Sequence, residues 1–91
     1  MKLEELRQQI DAIDTRIIRL LNERCDYVHE IGLIKKRDGL EIYAPEREEM
    51  LLRGLVAKSA GGRLPEVSIR AIYREIMSAA LALEEELKIA Y

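Results

Sequence analysis

Apolar residues recur every three or four positions along the first third of the chain. The spacing is 3-4-3-4-3 at Leu3, Leu6, Ile10, Ile13, Ile17 and Leu20. Because residues with this spacing share one face of an α-helix, the seam predicts one long helix over about residues 3–37. Gly39 suits the position just beyond a helix C-terminus, so we expect the helix to stop there.

Two shorter helices are predicted downstream. Pro45 suits a first helical turn, which predicts a helix over about residues 45–58 with Ala44 as an N-cap that lacks a side-chain oxygen. Gly61 and Gly62 mark a loop. A third helix is predicted over about residues 65–88, because a further apolar stripe runs through Ile69, Ile72, Tyr73, Ile76, Met77, Ala80, Leu81 and Leu83. The expected fold class is all-α, in one domain over residues 1–91.

The first helix is too long for the domain that it belongs to. About 35 residues span about 52 Å at 1.5 Å per residue. A compact chain of 91 residues has a radius of gyration of about 12 Å and a diameter near 30 Å. The far end of the helix therefore needs something else to pack on, and an intertwined homodimer is the simplest solution because two-fold dimers are the commonest oligomers.

Composition and charge remove several classes of protein. A net charge of −2 argues against a nucleic-acid binder, and Cys25, as the lone cysteine, cannot build a disulfide or a zinc site within one chain. No apolar run is long enough for a membrane span or a signal peptide, so we expect no membrane partner and a cytoplasmic location. Phosphate loops, metal-ligand clusters and nucleophile–histidine pairs are absent. An enzyme of this kind would need no metal or cofactor and would act through orientation and electrostatics.

Cations interrupt a second apolar stripe on the first helix. The stripe reads Arg7, Ile10, Asp14, Ile17, Leu21, Arg24, Val28, Ile31 and Lys35. Buried cations are costly unless paired. They could pair with acids such as Asp14 or extend to water, or Arg24 and Lys35, about 16 Å apart along the axis, could close on one small anion. Arg7 lies about 25 Å from Arg24, so it could serve such a site only from the partner chain.

Acidic residues and the single histidine are weaker candidates. Glu84 lies in line with the apolar stripe of the third helix, whereas Glu85 and Glu86 fit a solvated face. His29 directly follows Val28, so it lies one position outside the apolar stripe, and it is interpreted as a surface residue.

The chain resembles the all-helical chorismate mutases over essentially its whole length. The resemblance is carried by the runs LRQQIDAID (6–14), LLNER (20–24), IGLIK (31–35), IYAPERE (42–48) and IYREIMSAALALE (72–84), in order and at the family's spacing. It implies an intertwined dimer of three-helix protomers with two shared active sites. It also implies a cofactor-free Claisen rearrangement of chorismate to prephenate, a step in phenylalanine and tyrosine biosynthesis.

The resemblance assigns roles to particular residues. Arg7 of the partner chain and Arg24 would hold the two carboxylates, and Lys35 would donate to the ether oxygen. Arg47 and Glu48 would fix the carboxylate side and the ring hydroxyl. The implied catalytic residues are Lys35, Glu84 and Arg24, the implied substrate-binding residues are Arg7, Arg24, Lys35, Arg47, Glu48 and Glu84, and the implied apolar wall is Ile31, Leu51, Met77 and Leu81.

Three positions depart from the family's pattern. Ala44 and Ala80 stand where relatives often have Asp and Ser, which removes two polar contacts and leaves Glu48 as the main acceptor for the hydroxyl. Glu84 stands where relatives have Gln or Glu. Because only a protonated carboxyl can donate to the ether oxygen, we expect activity to rise as the pH falls through the titration of Glu84.

Two alternative functions stay open. One is an isochorismate pyruvate-lyase on the same fold, whose cations overlap with these, and the other is a non-catalytic helical dimerisation or regulatory module. The last residues, 88–91, resemble the start of a prephenate dehydratase domain, which predicts that a dehydratase domain follows in a longer bifunctional protein.

Overall fold

Three helices account for nearly all of the chain, as the apolar spacing predicts. The computed structural model describes the backbone of residues 1–89 and the side chains of residues 1–85. The helices are α1 (Leu3–Asp38), α2 (Pro45–Lys58) and α3 (Glu66–Ile89), and no strand occurs within these residues. The predicted bounds are confirmed to within one residue. The predicted likeness of residues 88–91 to a dehydratase lies outside the described side chains.

Helix α1 ends because Gly39 turns the chain. Gly39 has φ 67° and ψ 27°, the left-handed conformation that glycine adopts without steric cost. The Leu40 N–H then donates to the Lys35 carbonyl over 2.8 Å, which satisfies a carbonyl that the helix leaves unpaired. Helix α2 begins as predicted, with Ala44 making no side-chain cap and Pro45 in the first turn. The connection between α1 and α2 thus starts from a defined backbone geometry.

Helix α3 holds the molecule together, because it packs against both α1 and α2. The buried apolar side chains come from all three helices and are Val28, Leu52, Ile69 and Met77. None of the described side chains is completely removed from solvent. This core is small, as expected for a chain of this length without Phe or Trp.

The N-terminal half of α1 extends past this core. The chain measures 54 × 24 × 15 Å with a radius of gyration of 16.4 Å, well above the value of about 12 Å for a compact chain of this size. The predicted apolar seam is exposed in the single chain, with 63% of Leu3, 57% of Ile10 and 59% of Leu20 accessible. A contiguous apolar face of this kind marks an interaction surface.

No described helix is both long enough and apolar enough to cross a bilayer.

A cluster of charged side chains joins α2 to α3. Arg70 Nη1 lies 3.4 Å from both carboxylate oxygens of Glu49, and Arg70 Nε donates to Glu66 over 3.2 Å. Arg53 Nε also donates to Glu49, over 3.2 Å. Desolvation acts to raise the pKa of Glu49, but the hydrogen bonds and charges of Arg53 and Arg70 outweigh it and lower that pKa below its ordinary value.

This lowered pKa predicts a pH dependence of stability. A carboxyl whose pKa is depressed by folding stabilises the chain above its unfolded pKa, and the contribution is lost as the pH falls through the folded pKa. Urea unfolding of wild type and Glu49→Gln should therefore differ at neutral pH and converge as the pH falls below the ordinary carboxyl range. Glu75→Gln, at an exposed position on α3 with no ion pair to any described residue, is the control. A difference between wild type and Glu49→Gln that is the same at every pH would contradict the expectation.

Candidate active site

A cavity of about 320 Å³ lies between the C-terminal half of α1, the start of α2 and the C-terminal half of α3. The connection between α1 and α2 closes one side of it. The lining residues are Arg24, Val28, Ile31, Lys35, Ile42, Ala44, Arg47, Glu48, Leu51, Met77, Ala80, Leu81 and Glu84. An apolar wall with a few convergent charged groups is typical of a small-molecule site.

The structure brings together every predicted site residue except Arg7. The predicted charged residues and the predicted apolar wall all line this cavity, and so do Ala44 and Ala80. Arg7 lies on the exposed N-terminal half of α1 and does not line the cavity of its own chain. This agrees with the distance along the helix, which is too long for Arg7 and Arg24 of one chain to share a ligand.

Sequence reasoning missed two lining residues, Val28 and Ile42. Val28 belongs to the same stripe as Arg24 and Lys35, so the spacing already placed it on the correct face. Ile42 lies in the connection, which has no periodic pattern, so nothing in the spacing indicated that it faces the cavity.

An ion pair in the cavity joins α1 to α3. Lys35 Nζ lies 2.9 Å from Glu84 Oε2, and the two side chains are only 21% and 11% exposed. Lys35 Nζ also donates to the Ile42 carbonyl over 3.0 Å. The alternative that the cations of the stripe pair with acids is therefore confirmed for Lys35, although its partner is Glu84 on a different helix and not Asp14 on the stripe itself. A charge pair this sheltered from water interacts more strongly than an exposed one.

The remaining charged groups of the cavity have no such partner. Arg24, Arg47 and Glu48 make no hydrogen bond or ion pair with any residue that the structure describes. The cavity thus holds three cationic and two anionic side chains, with one pair already neutralised. The uncompensated guanidinium groups suit carboxylates, because arginine binds them through two parallel hydrogen bonds.

Other candidate chemistry is not assembled in the part of the chain that the structure describes. No group of three or more His, Cys, Asp and Glu side chains is placed to hold a metal ion there. His29 is exposed, as predicted, and Cys25 is half-buried and outside the cavity.

The fold and the cavity define a three-helix domain with a cavity lined by three cationic side chains, and comparisons with known proteins identify its family. The profile of chorismate mutase type II matches residues 6–85. A bifunctional chorismate mutase/prephenate dehydratase of Aquifex aeolicus is 48% identical over 94 residues, covering 99% of this chain and 26% of that protein. A protein of the same name from Neisseria gonorrhoeae is 45% identical over 85 residues, covering 93% and 23%.

Solved structures agree with this assignment. Chorismate mutase (form II) from Thermus thermophilus superimposes with a TM-score of 0.88 at 40% identity, over 93% of this chain and 96% of that chain. The chain belongs to the chorismate mutase type II family. It spans about a quarter of the length of the bifunctional relatives that it matches.

Proposed function

We propose that this domain converts chorismate to prephenate without a cofactor. The observation that carries the proposal is the meeting of Arg24, Lys35 and Arg47 in one cavity with an apolar wall. Two of these cations lack an acidic partner among the described residues, so a small dicarboxylate would neutralise them. The cavity volume, about 320 Å³, suits a ligand of this size.

The proposed reaction breaks the C–O bond of the ether while a C–C bond forms within the same molecule. No covalent intermediate is needed, so the protein acts by holding the substrate in its compact chair-like form and by stabilising charge. Arg24 and the Arg7 of a second copy would clamp the carboxylates. The Lys35 ammonium would meet the negative charge that develops on the ether oxygen.

Glu48 is the proposed acceptor for the ring hydroxyl. It lines the cavity and has no partner among the described residues. Ala44, at the end of the connection, lines the same cavity, and its methyl side chain cannot accept a hydrogen bond. Arg47 would add a contact on the carboxylate side.

The proposed active unit is a homodimer. Its support is the exposed apolar seam on α1 and the position of Arg7 outside its own cavity. A second α1 packed antiparallel on the seam would remove those side chains from water and carry Arg7 toward the partner's cavity. Burying apolar surface at about 25 cal/mol per Å² supplies the driving force.

The first test is the loss of chorismate absorbance on adding purified protein. Arg24→Ala and Lys35→Ala should each lower kcat/KM at least about a hundredfold while the oligomeric state is unchanged, because each removes a charge that faces the reacting molecule. Arg63→Ala, at an exposed position outside the cavity, should leave the rate unchanged. A non-catalytic helical module predicts no turnover at all, and identification of products from chorismate and from isochorismate separates the mutase from the lyase.

The shared site predicts that two inactive variants rescue each other. If each site takes Arg7 from one chain and Arg24 from the other, a mixed dimer of Arg7→Ala and Arg24→Ala has one intact site. An equal mixture after subunit exchange should recover about a quarter of wild-type activity, since about half of the dimers are mixed and each has one working site of two. Mixing Arg24→Ala with Lys35→Ala is the control, because both residues come from one chain and no intact site forms. Absence of recovery in dimers that exchange subunits would exclude the shared site.

The role proposed for Glu84 predicts a difference between pH–rate profiles. Glutamate donates a hydrogen bond to the ether oxygen only when protonated, whereas the amide of Glu84→Gln donates at any pH. Wild-type activity should rise as the pH falls, and the rise should be absent from Glu84→Gln. Identical profiles would rule out this role.

A covalently following prephenate dehydratase domain is also part of the proposal. It is supported by the double names of the relatives and by the quarter of their length that this chain spans. The reading frame beyond codon 91 of the gene tests it. The cytoplasmic location stays a prediction.

A further inference from the structure

Both the backbone carbonyl and the side-chain ammonium of Lys35 form hydrogen bonds with the connection between α1 and α2. Its backbone carbonyl accepts from the Leu40 N–H over 2.8 Å, and its Nζ donates to the Ile42 carbonyl over 3.0 Å. The chain therefore leaves α1, turns at Gly39 and returns to the side chain that it has just passed. This closed arrangement is not required to end a helix, since the Gly39 turn and the Leu40 N–H already do that.

The two acceptors of Lys35 come from different elements and limit where its ammonium can point. The ammonium donates to Glu84 Oε2 on α3 over 2.9 Å and to the Ile42 carbonyl in the connection. A lysine ammonium has three N–H donors, so two are engaged and one remains for a ligand in the cavity. The lysine side chain has four rotatable bonds. With a single acceptor, the remaining N–H donor could therefore point in many directions.

We propose that the connection over residues 39–44 is a positioning element for Lys35, with the left-handed turn at Gly39 as its determinant and the Ile42 carbonyl as its contact. The inference rests on the proposed function, because it concerns the donor assigned to the ether oxygen. The turn sets the path of the connection, the path places the Ile42 carbonyl, and the carbonyl with Glu84 directs the third N–H into the cavity. A donor fixed in advance stabilises developing charge without having to reorient during the reaction.

Two glycines of this chain allow a matched test. Gly39 and Gly61 both have positive φ, 67° and 86°, and a Cβ added at either would meet nothing within 4 Å. Alanine therefore strains the backbone at both positions without a clash. Gly39 begins the connection that touches Lys35, whereas Gly61 lies between α2 and α3 in a segment that contributes nothing to the cavity lining.

We expect Gly39→Ala to lower kcat about tenfold with little change in KM, because Lys35 would be misdirected toward charge that develops mainly in the transition state. Gly39→Asn should restore most of the rate, since asparagine tolerates positive φ. Gly61→Ala should lose comparable stability in urea unfolding and keep the wild-type kcat. Equal losses of kcat in Gly39→Ala and Gly61→Ala, or an unchanged kcat in Gly39→Ala, would overturn the proposal.

A second measurement addresses the Ile42 carbonyl directly. A backbone ester between residues 42 and 43, introduced by chemical ligation, weakens that carbonyl as an acceptor. It removes the Tyr43 N–H, which donates to no described residue, so no other hydrogen bond is lost. The ester should lower kcat as Gly39→Ala does, and an ester protein with the wild-type kcat would exclude the carbonyl as the contact.

A readout without substrate separates this inference from the proposed function. The NMR signal of the Lys35 ammonium should be protected from hydrogen exchange in wild type and in Gly61→Ala, and less protected in Gly39→Ala and in the ester protein. Equal protection in all four proteins would overturn the positioning role. A wild-type protein that shows the expected protection and does not consume chorismate would instead overturn the proposed function.

Discussion

Helix α1 is longer than the rest of the chain can cover, and most other features of the molecule follow from this. Its C-terminal half packs on α3 and contributes Val28 to the core, while the seam on its N-terminal half stays exposed. The small core and the large radius of gyration both result from this division. The same division separates the cations of α1, since Arg24 and Lys35 line the cavity and Arg7 lies on the uncovered half.

The charged side chains that line the cavity are only partly paired with one another. Lys35 on α1 and Glu84 on α3 form an ion pair with each other. Arg24, which is half-buried, and Arg47, which is exposed, have no equivalent partner among the described residues. In the proposed function, the carboxylates of the substrate would pair with these two guanidinium groups. The proposed reaction fits such a site, because a rearrangement within one molecule needs a fixed conformation and charge stabilisation rather than a nucleophile or a metal.

The connection between α1 and α2 is irregular, yet it forms part of the cavity lining. It contributes Ile42 and Ala44 to the cavity and accepts a hydrogen bond from Lys35. It has no periodic pattern, yet the turn at Gly39 gives it a defined start. The ion pair between Glu49 and Arg70 joins α2, which carries Arg47 and Glu48, to α3.

The sequence by itself determined the helices, because their periods, the left-handed glycine at 39 and the proline at 45 are local properties of the backbone. It also placed Arg24, Val28 and Lys35 on one face, and it set Arg7 too far along the same helix to join them. Only the tertiary structure decided that Lys35 pairs with Glu84, 49 residues away, and that Ile42 reaches the cavity. These contacts depend on how α1, α3 and the connection pack together. Packing is set by side chains remote in sequence, which no local pattern records.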